Sequence, residues 1–141
     1  MFSIDTYPVL ANNTWNSAFL ADLSLVKTYA INSGAESHVA MQSSAVAEGG
    51  RIPTEAEMSL QAWSALAFDI DSISWFTYSD YLGYQNETNT PVSADNETRN
   101  GYTSLANANK TYANVSKFLD GYTWKGIYSL DAGTQQSDVS W

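Results

Sequence analysis

Residues 51–78, RIPTEAEMSLQAWSALAFDIDSISWFTY, decide the fold, because they carry a helix signal followed at once by a strand signal. Thr54 and Glu57 form a capping box, in which each side chain can accept a hydrogen bond from the backbone amide of the other residue. The box predicts a helix over residues 55 to about 68. Apolar residues recur along this helix at helical spacing, at Met58, Ala62, Ala65 and Leu66. The aromatic run at residues 72–78 predicts a strand directly after it.

Strand signals recur at a regular interval before this stretch. Residues 2–7 and 37–42 are predicted strands, and the three strand predictions start about 35 residues apart. The first interval holds a predicted helix over residues 15 to about 32, with Gly34 as its stop. Strands separated by one helix each are typical of βα units that build a parallel sheet. The sequence therefore predicts an α/β fold with parallel strands and covering helices.

The remainder of the chain predicts a loop, a helix and a short strand. Residues 79–100 are mostly polar and predict a long loop over one rim of the sheet. The apolar spacing of residues 102–119 predicts a third helix, closed by Gly121. Residues 123–128 predict a C-terminal strand. We therefore divide the chain into three βα units over residues 1–121 and a C-terminal strand and tail over residues 122–141.

Composition narrows the classes of function. The chain has 141 residues, enough for one domain, and six Lys and Arg against 15 Asp and Glu give a net charge of −9. This charge repels phosphate backbones and anionic lipids, so neither nucleic acid nor a membrane is an expected partner. No Cys and a single His, His38, exclude a thiolate site and a multi-histidine metal site within one chain. No metal or other cofactor is expected, and the sequence assigns no compartment.

Four sets of residues follow one another in an order that is found in a known kind of barrel. They are Ser3 to Pro8, Val39 to Ser43, Arg51 to Ala67 with Ile73 to Tyr78, and Asp95 to Thr98 with Asn109. In this order they resemble a barrel strand ending in an Asp-x-Tyr-Pro turn, strand seven, the last two units, and the loop and helix after strand eight of a bacterial glycoside-hydrolase barrel. The family is the β-galactosidase-like group of the large retaining clan with (β/α)8 folds. Three βα units fall short of the eight strands of a complete barrel of about 250 residues. The sheet is thus either a small open one or part of a larger one, and the resemblance implies strands six to eight of a TIM-type barrel.

The resemblance also implies what the chain lacks. Residue 2 would begin strand six, so about five earlier units would lie outside this sequence. In the clan the general acid closes strand four, which belongs to that earlier part. The nucleophile, a Glu, closes strand seven, where this sequence has Gln42. An amide is neither a nucleophile nor a titratable base, so hydrolysis by the isolated chain is not expected.

Five residues at the carboxyl ends of the predicted strands form the candidate site. Asp5 is the catalytic candidate, because barrel active sites lie at this end, although it could instead form a turn. Tyr7 and Tyr78 are substrate-binding candidates, because aromatic faces stack on sugars. Tyr7 could alternatively brace the turn before the proline that follows it. Gln42 and Ser43 complete the substrate-binding set, since their polar groups can bond sugar hydroxyls.

Other polar and aromatic residues are expected to be structural. Glu55 and Glu57 suit the first turn of a helix, where carboxylates are favoured. Arg51 is expected to pair with Glu55 or with a carboxylate in the site. Trp75 should point to the sheet face opposite Tyr78 and pack beneath a helix. His38, at the start of its strand, is expected on the other rim.

Three hypotheses on function remain open at this point. The leading one is the last part of a glycoside-hydrolase-like barrel that contributes sugar-binding residues, with carbohydrate as its partner. The second is a non-catalytic carbohydrate-binding module. The third is a truncated or half barrel that self-associates or associates with the missing barrel units, because an open parallel sheet leaves unpaired edges.

Overall fold

The computed structural model describes residues 1–10, 14–45, 51–80, 90–93 and 95–127. Strands and helices alternate along the chain: β1 (Phe2–Asp5), α1 (Phe19–Ser33), β2 (Ser37–Gln42), α2 (Glu55–Ala67), β3 (Ser72–Phe76) and α3 (Asn100–Leu119). The sheet order is β1-β2-β3, and both strand pairs are parallel. The predicted α/β architecture of three βα units is confirmed.

The helices pack on one face of the sheet. Val39 and Met41 of β2 are fully buried on this face, and Ile73 and Trp75 of β3 pack beside them. Trp75 therefore lies beneath helices, as its place in the strand predicts. The main core cluster joins this face to α1, to α2 and to the turn before β3, through Phe19, Leu23, Val26, Ala65 and Ile70. A second cluster joins α2 to α3, through Met58, Ala62, Leu105 and Ala108. Full burial of such a side chain contributes roughly 2 kcal/mol, so the helix layer holds the sheet mainly through this face.

The opposite face of the sheet carries small and polar residues. The register pairs Ser3 with His38 and Ala40 with Ser74, and alternation along each strand places all four on this face. The Ser3 hydroxyl lies 2.7 Å from Nδ1 of His38. Ser3 and Ser74 are exposed, as are Asp5 and Phe76 at the carboxyl ends of their strands. Parallel sheets normally have both faces covered, but in the described part of this chain one face is open to solvent.

The first helix begins at Phe19 and not at the predicted residue 15. Trp15 forms an antiparallel bridge with Val9 instead. The side chain of Asn16 accepts a hydrogen bond from the Ala18 amide at 3.0 Å, which closes a turn just before the helix. The Trp15 ring packs edge-on against Phe19, with centroids 5.5 Å apart. Trp15 is thus an apolar residue at helical spacing that lies outside the helix. Because the prediction rests on the spacing alone, it places the helix start too early.

Both β1 and β3 are two residues shorter than predicted, and side-chain hydrogen bonds are added to the backbone pairing where they end. The Thr6 hydroxyl donates to Asp22 of α1 at 2.9 Å. The Ser44 hydroxyl donates to the Phe76 carbonyl at 3.2 Å and accepts from the Thr77 amide at 3.0 Å.

The described part of the long loop after β3 is held by short bridges. Val92 forms a parallel bridge with Ser79 and an antiparallel bridge with Thr98. The Asp80 carboxylate lies 2.7 Å from Arg99, so an ion pair joins the two ends of the loop. The third helix then begins at residue 100, two residues before the predicted start. Residues 81–89 and 94 lie outside the described residues.

The predicted C-terminal strand at residues 123–128 is wrong over its described part. Residues 123–127 form no strand, and residue 128 lies outside the described residues. The indole N–H of Trp124 donates to the Ala67 carbonyl at 2.9 Å, which holds this segment against the end of α2. The Trp124 side chain is therefore held at the end of a helix and not at a sheet edge. None of the described helices is long and apolar enough to cross a bilayer.

Candidate functional site

The carboxyl ends of β1 and β3 bring three side chains together. The ring of Tyr7 lies against the ring of Phe76, with centroids 5.8 Å apart and planes tilted by 34°. The carboxylate of Asp5 lies beside the Tyr7 hydroxyl. Burial of the Tyr7 hydroxyl, and then the nearby negative charge of Asp5, raise the pKa of Tyr7. Two predicted site residues, Asp5 and Tyr7, thus lie together on this rim.

The contacts of Thr6 determine the face of the sheet toward which Asp5 and Tyr7 point. Its amide donates to the Ala40 carbonyl at 3.1 Å, which continues the pairing of β1 with β2. Its buried hydroxyl is bonded to Asp22 on the helix-covered side of the sheet. Because neighbouring residues of an extended chain point to opposite sides, Asp5 and Tyr7 are directed toward the open face. Asp5 is exposed and Tyr7 is half-buried.

Gln42 lies beneath the rim and is fully buried. Its Oε1 accepts from the Val9 amide at 2.8 Å. Its Nε2 donates to the carbonyls of Val9 and Ser44, both at 3.1 Å. The amide thus uses both of its N–H donors and its oxygen on backbone groups. Gln42 holds the loop after β1 against the end of β2. Its contact with a substrate stays a prediction, and that contact would require some of these backbone hydrogen bonds to be replaced by bonds to the substrate.

Gln61 of α2 is a second buried glutamine, and its role is not among the predictions made from the sequence. Its Oε1 accepts from the Gln42 amide at 2.8 Å, and its Nε2 donates to the Gln42 carbonyl at 3.0 Å. Gln61 lies three residues after Met58, within the apolar stripe of the helix. A polar residue in such a stripe is the signal that could have identified it. The two glutamines form a continuous link from α2 through the end of β2 to Val9.

Ser43 is also buried against protein groups. Its amide donates to the Phe76 carbonyl at 2.9 Å, and its hydroxyl donates to the Thr77 carbonyl at 3.2 Å. These bonds hold the end of β3, and with it the ring of Phe76. Ser43 therefore supports the rim from below, while its direct contact with a ligand stays a prediction.

Tyr78 belongs to a separate aromatic pair. It is 51% exposed and lies beside Tyr102 of α3, with ring centroids 6.4 Å apart. Its carbonyl accepts from the Val92 amide at 3.0 Å, which fixes it at the start of the loop after β3. The structure gives no ring contact between Tyr78 and Tyr7. Tyr78 therefore belongs to a ring pair distinct from that of Tyr7 and Phe76, and its contact with a substrate stays a prediction.

The partner of Arg51 differs from the expectation. Its guanidinium makes two hydrogen bonds of 2.7 Å to the carboxylate of Glu57. Glu55 instead accepts from the side chain of Asn107 at 3.2 Å. The Arg51 hydrogen bond, with those of Thr54, lowers the pKa of Glu57 from 4.5 to about 2 against an opposing effect of burial. The capping box is present as predicted, and its carboxylate is a structural ion-pair partner.

Two open pockets lie away from this rim. One has a volume of about 420 Å³ and is lined by residues including Asp69, Asp71, Tyr112 and Lys117. The other has a volume of about 350 Å³ and is lined by residues including Trp63, Val115, Leu119 and Trp124. Both include Asp69, which precedes β3, so they lie toward the amino ends of the strands. No predicted site residue lines either pocket.

Within the described part of the chain, no group of three or more His, Asp or Glu side chains is placed to hold a metal ion. Comparison with known protein families, with curated proteins and with solved structures finds no match for this chain. The side chains on the rim are therefore the basis for assigning a function.

Proposed function

We propose that this chain forms the last three βα units of a glycoside-hydrolase-like barrel and that its rim binds carbohydrate. The observation that carries this proposal is the grouping of Asp5, Tyr7 and Phe76 at the carboxyl end of the sheet. Barrel enzymes place their sites at this end. An exposed aromatic face beside a carboxylate suits a sugar, because the CH groups of the sugar stack on the ring and its hydroxyls bond to the oxygens.

The one-sided helix layer supports the barrel part of the proposal. A doubly wound sheet carries helices on both faces, whereas a barrel carries them only on its outer face. The described helices pack on the face of Val39 and Met41. The opposite face carries short polar side chains such as Ser3 and Ser74. One-sided helix cover is the arrangement expected of strands whose uncovered face lines a barrel interior.

We propose binding, and not hydrolysis, for the chain by itself. Most glycosidases need two carboxyl groups that flank the scissile bond. Asp5 is exposed on the rim, whereas Asp80 is paired with Arg99 and Gln42 presents an amide bonded to backbone. In this proposal Asp5 accepts hydrogen bonds from sugar hydroxyls. The Tyr7 hydroxyl, whose pKa is raised, stays protonated at neutral pH and keeps its hydrogen.

Titration of the full chain with galactose, glucose, lactose and cellobiose, followed by NMR chemical shifts, tests the binding proposal. We expect weak saturable binding that Tyr7→Ala and Asp5→Asn each weaken about tenfold, corresponding to one lost charged hydrogen bond or ring contact. Tyr7→Phe, which keeps the ring, should lose less. Tyr122→Ala is the matched control, because Tyr122 is an aromatic residue that is 80% exposed beyond the end of α3.

No saturable shift with any of the four sugars would contradict the proposal. Turnover of aryl galactosides or glucosides by the chain, lost in Asp5→Asn and kept in Tyr122→Ala, would contradict the absence of hydrolysis. Circular dichroism and thermal melting of each variant separate loss of binding from loss of fold.

A further inference from the structure

The outer edge of β1 presents backbone groups without a strand partner. The amides of Phe2 and Thr6 donate toward β2, with bonds of 2.7 and 3.1 Å. Alternate residues of a strand direct their backbone groups to opposite neighbours, so those of Ser3 and Asp5 point away from β2. Among the described residues, no strand pairs with this edge. Such an edge is a template for a further strand.

An apolar strip on the helix side continues this edge. Phe2, which is 40% exposed, stacks on Tyr29 of α1 with ring centroids 6.0 Å apart. Tyr29 is 54% exposed, and Leu25, one turn earlier on the same flank of α1, is 51% exposed. The β1 edge therefore offers a strand to pair with and an apolar strip that a helix can cover.

The β3 edge offers the complementary surface. The Phe76 carbonyl accepts from the Ser43 amide of the β2 side, so alternation directs the backbone groups of Ile73 and Trp75 outward. The indole of Trp75 donates to Asn109 of α3 at 2.6 Å. No described strand pairs with this outer edge of β3, and the edge comes with a helix attached to it.

The backbone groups at the two outer edges of the sheet match the bonding pattern between the strands inside it. At the junction of β1 with β2, the earlier strand, β1, bonds through residues of the helix-covered face. At the junction of β2 with β3, the earlier strand, β2, does the same. At the free edges, β3 offers residues of the helix-covered face, Ile73 and Trp75, and β1 offers residues of the open face, Ser3 and Asp5. A β3 edge placed before a β1 edge therefore repeats a junction found twice within this chain. The helix of the preceding strand would then cover the apolar strip, as α1 covers the junction of β1 with β2.

We propose that two copies of this chain associate head to tail, the β3 edge and α3 of one copy docking on the β1 edge and apolar strip of the next. A second copy is the occupant because its surface continues both the sheet and the helix layer. The proposal rests on the free edges and does not depend on carbohydrate binding. It places the end of the neighbouring copy's β3 about 4.8 Å from β1, beside Asp5 on the rim. The charge of −9 on each copy opposes association, so added salt should strengthen it.

Sedimentation velocity of the full chain, from micromolar to near-millimolar concentration at low and high salt, tests the proposal. We expect concentration-dependent association that salt strengthens. Ser3→Pro removes an outward amide and spares the bonds to β2, and Tyr29→Glu places a charge in the apolar strip. Each should weaken association about tenfold or more. Leu60→Glu is the control, because Leu60 is 49% exposed on α2.

Two results would overturn the proposal. One is a monomer at every concentration and both salt levels. The other is an association that Leu60→Glu weakens while the two edge variants do not. Circular dichroism checks the fold of each variant, and Tyr29→Glu alone decides if Ser3→Pro fails to fold.

The pairing mode is tested by engineered disulfides, because the chain has no cysteine of its own. Ser3→Cys and either Ser72→Cys or Ser74→Cys are prepared with different tags, mixed and oxidised. Adjacent strands bring such residues within disulfide reach. Head-to-tail pairing predicts the mixed disulfide as the main product. A dominant Ser3→Cys homodimer would show pairing of two β1 edges and overturn the head-to-tail arrangement.

Discussion

Gln42 holds three segments of chain with one buried amide. It bonds both backbone groups of Val9 and the carbonyl of Ser44, while its own backbone is bonded by Gln61. At this point β1 has ended, so no ladder with β1 satisfies the backbone on that side of Gln42, while the pairing with β3 still reaches Phe76. Buried backbone groups need a partner, so the side chains of the two glutamines supply hydrogen bonds that a neighbouring strand would otherwise make.

Gln42→Ala should therefore destabilise the fold. The substitution leaves the Val9 amide and buried carbonyls without partners, and we expect a loss of about 3 kcal/mol in the free energy of unfolding. Urea denaturation followed by circular dichroism measures it. Asn32→Ala, at an exposed position of α1, is the control and should change stability little. A loss below about 1 kcal/mol would indicate that water readily replaces the amide.

Glu57 predicts a pH dependence of stability. Its pKa is about 2 in the folded chain against 4.5 without the Arg51 and Thr54 contacts. A depressed folded pKa stabilises the fold above the unfolded value, and this stabilisation is lost as the pH falls from 4.5 toward 2. Glu57→Gln should therefore cost about 1 kcal/mol at neutral pH and almost nothing near pH 2. Thermal melting across this range measures the difference, with Glu55→Gln as the control from the same helical turn. An equal cost at both ends of the range would contradict the assignment.

Strand-end positions show how far residue types alone predict a site. Asp5 and Tyr7 lie together on the rim, because a strand end followed by an Asp-x-Tyr-Pro turn restricts where they point. Gln42 and Ser43 occupy similar strand-end positions and yet are buried. Their polar groups can bond a ligand or the backbone equally well, and the choice depends on how close the loop after β1 approaches. That distance is a tertiary property, which local pattern does not contain.

At the scale of elements, Lys27 ties α1 to the turn before β3. Its ammonium is almost fully buried, bonds the Asp69 carbonyl, and lies 2.8 Å from the Asp69 carboxylate and 3.8 Å from that of Asp71. Asp71 also accepts from the Ser37 amide at 2.8 Å and from its hydroxyl at 2.6 Å, which adds the start of β2 to the network. Burial alone would raise the pKa of Asp71, but the Ser37 hydrogen bonds and the charge of Lys27 lower it. One cation thus joins three elements at the amino end of the sheet.

Lys27→Met tests this link, since methionine keeps most of the volume and removes the charge. We expect a loss of about 2 kcal/mol in the free energy of unfolding, less than for a fully buried pair because the two carboxylates remain partly hydrated. Lys110→Met, at an exposed position of α3, is the control. Differential scanning calorimetry compares the two variants. Equal stability of both would show that packing by the aliphatic stem, and not the charge, holds α1 in place.

The order and type of the elements were predictable because the periodic signals are long. The apolar stripes of α1 and α2 face the sheet and that of α3 faces α2, and the interval of about 35 residues leaves room for a crossover between parallel strands. The wrong predictions concern short segments. Trp15 supports the first helix from outside it, and residues 123–127 have a strand-like composition but pack on the end of α2. In both segments tertiary packing overrides local preference.

At the scale of the whole molecule, the helices cover one face of the sheet and leave the other face and two edges without cover from the described residues. Both proposals follow from this asymmetry. The open face directs Asp5 and Tyr7 outward at the rim, and the open edges provide the surfaces for a second copy. A strand added at the β1 edge would lie next to Asp5, so completing the sheet would also add residues to the rim.

Amide hydrogen exchange distinguishes the edges from the centre of the sheet. The amides of Val39 and Met41 should exchange slowest, since these residues are buried and their strand is paired on both sides. At concentrations where the chain is monomeric, the outward amides of Ser3 and Asp5 should exchange at least about a hundredfold faster than these. They should become protected as association proceeds, while loop amides outside the sheet, such as that of Asn96, which is bonded to the Ser93 carbonyl, stay unchanged. Protection of Ser3 and Asp5 in the monomer would show that the β1 edge is already covered by the chain itself, and it would remove the basis for head-to-tail docking.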